Sequence, residues 1–146
     1  MKKLFIAALL ALSVVTGAFA ADTKKVSKIV LNNFSSEFKD AGNIAWAAVG
    51  EYAKATFTLN NQRMEAFYNW NGEMIGTSKA ITLEQLPTNA KRNFARKFDG
   101  YAVKEAIRFE GTEEAAYYIS AENEKEALII KIADSSDVSI FSRTKK

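Results

Sequence analysis

The chain has 146 residues, 48% of them hydrophobic, with 20 Lys and Arg against 17 Asp and Glu, one proline, no cysteine and no histidine. Lacking cysteine, it forms no disulfide, thiolate nucleophile or lipidated N-terminus; lacking histidine, it loses the commonest general base and most zinc chemistry. Setting aside Lys2 and Lys3 lowers the formal charge from +3 to +1, which leaves no electrostatic case for nucleic acid or an anionic membrane as partner.

Residues 1–20 carry the three zones of a secretory signal peptide. Lys2 and Lys3 form the positive start, Leu4 to Val15 an apolar run, and Ala18-Phe19-Ala20 a small-x-small end with cleavage expected between Ala20 and Ala21. The apolar run rises only about 18 Å as a helix against a hydrocarbon core of ~30 Å, too short for a stable membrane anchor. The predicted product is a periplasmic or secreted single domain over residues 21–146.

Val26, Ile29, Val30, Phe34 and Phe38 recur at helical spacing and predict an amphipathic helix over about 23–40. Strand-like alternation follows at 43–49, 51–59, 63–70 and 73–81, with turn signals at Asn60-Asn61 and Asn71-Gly72. Asn71-Gly72 is the strongest hairpin signal of the chain. Pro87 suits a second helix start, Phe94 and Phe98 repeat the four-residue Phe spacing, and Asp99-Gly100 ends it. Four more strands are expected at 101–110, 113–122, 125–133 and 137–143, punctuated by Gly111-Thr112 and Asn123-Glu124. The fold class predicted is α+β: two tandem helix-plus-four-strand units, about 21–81 and 82–146, sharing one antiparallel sheet with both helices on one face.

Alternation assigns sides to the strands. Ala53, Ala55, Phe57 and Leu59 face the helices with Met64, Ala66, Tyr68 and Trp70, and with Leu128, Ile130 and Ile132 in the second unit. The opposite, open face keeps Tyr52, Phe67, Tyr118, Ile129 and Phe141, and the first four are the candidate partner-binding residues. Tyrosine and phenylalanine on an open sheet offer rigid contact area at low rotamer cost.

The chain resembles the PepSY-like, beta-lactamase-inhibitor-like family of exported bacterial proteins. Phe34, Phe38, Ala41, Ile44, Trp46, Tyr52-Ala53 and Phe57 carry the resemblance in the first half. Asn71-Gly72-Glu73, Leu86-Pro87, Phe98-Asp99-Gly100-Tyr101, Val103, Glu105, Ala106 and Tyr117-Tyr118 extend it across the remainder. The resemblance implies α-β units sharing a curved antiparallel sheet, whose concave face grips a partner enzyme in the inhibitors and whose PepSY relatives suggest restraint of extracytoplasmic peptidases. The inhibitors proper are larger and carry disulfides, so a beta-lactamase target does not follow.

Other candidate sites have plainer readings. Glu113 and Glu114 are adjacent and point to opposite faces if strand-like, a poor acid/base pair. Asp134-Ser135-Ser136-Asp137 lacks the ligand count and glycine of a calcium loop and reads as a solvated turn. Asn33-Phe34-Ser35 fits a glycosylation triplet but falls inside a helix. Lys91, Arg92, Arg96 and Lys97 form a solvated basic face on the second helix, and Trp46 and Trp70 at strand spacing read as core. The function expected is a non-catalytic binding module for a protein or peptide, using no metal or cofactor. The alternative is a small-molecule or lipid carrier with a pocket lined by Phe34, Phe38, Trp46 and Phe57.

Overall fold

A computed structural model describes residues 26–146, so the expected signal peptide and its cleavage site lie outside the described residues. In chain order the elements are α1 (Lys28–Glu37), β1 (Gly42–Val49), β2 (Tyr52–Leu59), β3 (Gln62–Asn69) and β4 (Met74–Ala80). A 3-10 turn (Leu83–Gln85) then leads to α2 (Thr88–Lys97), β5 (Ala102–Gly111), β6 (Ala115–Glu122), β7 (Glu126–Ala133) and β8 (Val138–Lys145). The strands form an eight-stranded sheet in sequence order, antiparallel in register, and the class is α+β as predicted. The described chain divides into two compact units, residues 26–79 with Glu110–Glu113, and Ala80–Phe109 with Glu114–Lys146.

In the first unit α1 has no side-chain cap at Ser27, so packing must hold it in place. Val30 and Phe34 are its buried residues. They meet Trp46, Ala53, Ala55, Phe57, Ala66 and Tyr68 from one side of β1, β2 and β3. The three alanines leave room for aromatic side chains from the helix. The Phe34 ring lies 5.1 Å from both Trp46 and Phe57, edge-on, and 5.2 Å from Phe38. Burying such a ring stabilises the fold by roughly 1.5–3 kcal/mol.

The second unit repeats the logic with aliphatic strands. Ala90 and Phe94 of α2, with Leu86 and Phe98, pack on Ala106, Ile119, Ala121, Leu128, Ile130, Ile132 and Val138. Both helices stop the same way. The N–H of Phe38 bonds to the Phe34 carbonyl and Ala41 closes back on Phe38; Phe98, Phe94 and Tyr101 do the same. Helix α1 therefore ends at Glu37, short of the expected residue 40.

Turn chemistry departs from expectation at one hairpin. Asn60 and Asn61 have φ of 52° and 63°, and join Leu59 to Gln62, which face each other across β2 and β3. That two-residue loop with positive φ at both positions is a type I′ turn. At Asn71-Gly72 only Gly72 has positive φ, at 90°. Asn69 instead closes that loop, its Oδ1 accepting the N–H groups of Asn71 and Glu73, both at 3.0 Å. Gly72 is required twice, because a Cβ there would lie 2.9 Å from both Asn33 Nδ2 and Ile29 Cγ1. Asn33 donates to the Gly72 carbonyl at 2.7 Å, which ties the β3–β4 loop to α1 and gives the side chain of the glycosylation triplet a structural task.

One expectation about the core fails locally. Trp70 is exposed because β3 ends at Asn69 and the ring falls in the turn, where strand alternation no longer sets its side. The 3-10 turn, absent from the sequence reading, is held by a capping box in which Gln85 accepts from the Thr82 N–H at 2.8 Å.

Candidate functional site

The candidate surface is the side of each unit's strands turned away from its helix-packed core. In the first unit Tyr52, Lys54 and Thr56 alternate with the core residues Ala53, Ala55 and Phe57. Lys54 pairs across to Phe67, and Glu65 pairs across to Ser78. Phe67 is 1% exposed, and Lys54 and Ser78 are 5% exposed. Lys54 Nζ lies 4.0 Å from Glu65 Oε1. Burial holds the Lys54 ammonium below its ordinary pKa, Glu65 opposes that shift, and Arg63 adds to it.

In the second unit the corresponding side holds Phe109, Tyr118, Ile129, Lys131 and Phe141. The Tyr118 ring meets Phe109 at 6.5 Å and Phe141 at 5.5 Å, both edge-on. Phe141 reaches it through a β-bulge: the β7–β8 register slips between Ile129 and Ile130, so one extra residue of β8 stands opposite. The Tyr118 hydroxyl donates to Glu114 Oε1 at 2.7 Å, and Lys131 Nζ approaches Glu114 Oε2 at 3.0 Å. Burial pushes the Tyr118 phenol well up, and the hydrogen bond to Glu114 pushes the same way.

The four predicted residues fall as two diagonal neighbours. Tyr52 faces Asn69, two residues from Phe67, and Ile129 faces Ser120, two residues from Tyr118. Neither Phe67 nor Tyr118 belongs to a helix-side core, and in that the side assignment holds. Their expected exposure does not: Phe67 is 1% and Tyr118 0% exposed, whereas Tyr52 and Ile129 are half-buried. Alternation reports which side a residue takes and is blind to what packs beside it. Sequence reasoning also missed the Lys54–Glu65 and Lys131–Glu114 pairs. For Lys54, Glu65 and Lys131 the one sequence signal is a charge at an outward strand position between apolar neighbours; Glu114, just before β6, lacks even that.

The remaining candidates have local partners. Asp134 binds Arg108, which also lies 4.6 Å over the Tyr117 ring, and Asp137 accepts from Ser135. Among the described residues no group of three or more carboxylates is placed to hold a metal ion. Lys91 pairs with Glu84, and Lys97 donates to the Val138 carbonyl, while Arg92 and Arg96 are exposed. The four side chains assigned to a carrier pocket stack on one another, with Phe38 4.8 Å from Phe57 and Trp46 5.1 Å from Phe34. Among the described residues no helix is long and apolar enough to cross a membrane.

Neither a protein-family model nor a curated protein matches the chain. Solved structures do. A BLIP-like protein from Bacteroides fragilis superposes with a TM-score of 0.69 at 14% identity, covering 82% of this chain and 85% of its own. A protein from Bacteroides eggerthii described as periplasmic gives 0.73 at 16% identity, over 82% and 88%. A DUF2874 family protein from Bacteroides ovatus gives 0.71 at 15% identity, over 81% and 86%. The fold is the BLIP-like fold. Identity this low establishes fold and no more, and it agrees with the beta-lactamase-inhibitor-like half of the sequence resemblance.

Proposed function

We propose that this chain is an exported, non-catalytic protein-binding module, and that its strands dock a protein or peptide on the side turned away from the helices. The observation that carries the reading is the set of aromatic residues outside the helix-packed cores: Phe67 in one unit, and Phe109, Tyr118 and Phe141 in the other. Phe67, Phe109 and Tyr118 are buried on that side, and rings fixed in this way give the half-buried residues beside them the rigid support a docking surface needs. Half-buried Tyr52 and Ile129 then supply contact area above buried Phe67 and Tyr118. The signal-like residues 1–20 and a BLIP-like fold shared with a protein described as periplasmic support an envelope partner. Restraint of an envelope hydrolase or peptidase is the specific task we assign, by likeness to the inhibitors that use this fold.

The test is affinity capture from an envelope fraction with wild type and with Tyr52→Ala/Ile129→Ala as baits. Both side chains are only half-buried, so the variant should fold, which circular dichroism checks. Loss of a wild-type partner from the folded variant is expected. Identical partner sets for the two baits would sink the reading.

A further inference from the structure

The two ends of the strand order differ in how they are guarded. A terminal strand presents unpaired N–H and C=O groups, and proteins normally blunt it with charge, proline or a bulge. Strand β8 is blunted twice: a bulge interrupts it at Phe141, and Arg143, Lys145 and the following Lys146 place cations along its second half. Strand β1 reads Gly-Asn-Ile-Ala-Trp-Ala-Ala-Val and carries no charge and no proline. Its irregularity is confined to the start, between Gly42 and Ala45; from Ala45 to Val49 it pairs residue for residue with Thr56 to Tyr52. Among the described residues β2 is its one strand neighbour. Ile44 is 46% exposed, and Ala45 and Ala48 are exposed as well.

From this contrast we infer that β1 is a self-association edge, pairing antiparallel with β1 of a second copy across a two-fold axis. Self-pairing of a neutral strand sets no like charges opposite each other, whereas β8 against β8 would oppose its cations. Pairing β1 with β8 of another copy would set the bulge at Phe141 against the regular run Ala45–Val49, which disfavours an open filament. Alanines at 45, 47 and 48 present no bulk against a strand spacing of about 4.8 Å. A partner of this kind is always available at the protein's own concentration and is complementary to itself by symmetry. The contact is one strand wide, well below the ~1,600 Å² of a standard interface, so the dimer is weak, in the micromolar to millimolar range.

Sedimentation equilibrium of the protein over a concentration series tests this. Wild type is expected to show a monomer–dimer equilibrium, and Ala45→Lys/Ala48→Lys and Ala45→Glu/Ala48→Glu are each expected to be monomeric. An equal mixture of the two charged variants is expected to associate again. Ala45→Thr/Ala48→Thr, neutral and β-prone, should retain the dimer. Thermal melts establish that each variant is folded, and Ala48→Lys alone serves if the double lysine variant is not. A wild type that stays monomeric to roughly millimolar concentration, a lysine variant that dimerises like wild type, or a mixture that fails to associate would each overturn the proposal. So would a monomer that takes up an extended peptide of another protein along β1.

Discussion

Tyr118 shows how one side chain couples packing to charge. Its ring is enclosed by Phe109 and Phe141, and its hydroxyl is tied to Glu114, which Lys131 also holds. Replacing it with phenylalanine keeps the ring contacts and removes one hydrogen bond, an expected cost of about 1 kcal/mol at neutral pH. The pH dependence has a definite sign. The folded phenol ionises above the ordinary tyrosine value of 10.0, so its contribution is complete below pH 10 and is lost as pH rises through the higher folded value. Wild type should therefore lose its advantage over Tyr118→Phe above pH 10, measured by urea unfolding at neutral and alkaline pH. Lys54 and Tyr68, also shifted, are common to both proteins and cancel. A gap that stays constant across that range would mean the phenol titrates alike folded and unfolded. None of this is legible in the sequence, since a tyrosine at an outward strand position gives no sign that the glutamate four residues earlier accepts its hydrogen bond.

At the scale of elements, alternation carried most of the information. All eight strands lie within a residue or two of their expected limits, because apolar-polar alternation and turn residues bracket each one. The departures come where alternation stops. Trp70 sits past the end of β3, and the positive-φ pair falls at Asn60-Asn61 instead of Asn71-Gly72, while Phe141 keeps its expected side only through a bulge. Each is decided by backbone conformation, which side-chain periodicity does not encode. Helix α1, uncapped at its start, depends on Phe34, whose ring touches Phe38, Trp46, Phe57 and Tyr68. Phe34→Ala is expected to cost about 3–5 kcal/mol, and Ser35→Ala, on the exposed side, no more than ~0.5 kcal/mol. Chemical denaturation measures both. Comparable losses would show that α1 is held by its backbone and not by the ring cluster.

For the whole molecule, stability should be graded across the strand order. Strands β2, β3, β6 and β7 have a strand on either side, whereas β1 and β8 terminate the order. Amide hydrogen exchange at low protein concentration is expected to be slowest in the first group and fastest in β1 and β8. Terminal strands as protected as central ones under those conditions would contradict this. Raising the concentration should slow exchange in β1 alone if that edge self-pairs.

By itself, the sequence determined the α+β class, the number and order of the strands, and the side each core residue takes, because period-2 and period-3.6 patterns are local consequences of side-chain geometry. It also excluded thiol, disulfide and histidine chemistry outright, since those depend only on which residues exist. Tertiary structure alone decided that Phe67 and Tyr118 are enclosed, that Glu114 gathers Tyr118 and Lys131, and that uncharged β1 lies at the end of the sheet. Those facts rest on side-chain contacts across strands and turns or on the order of strands, and neither leaves a periodic trace in the sequence.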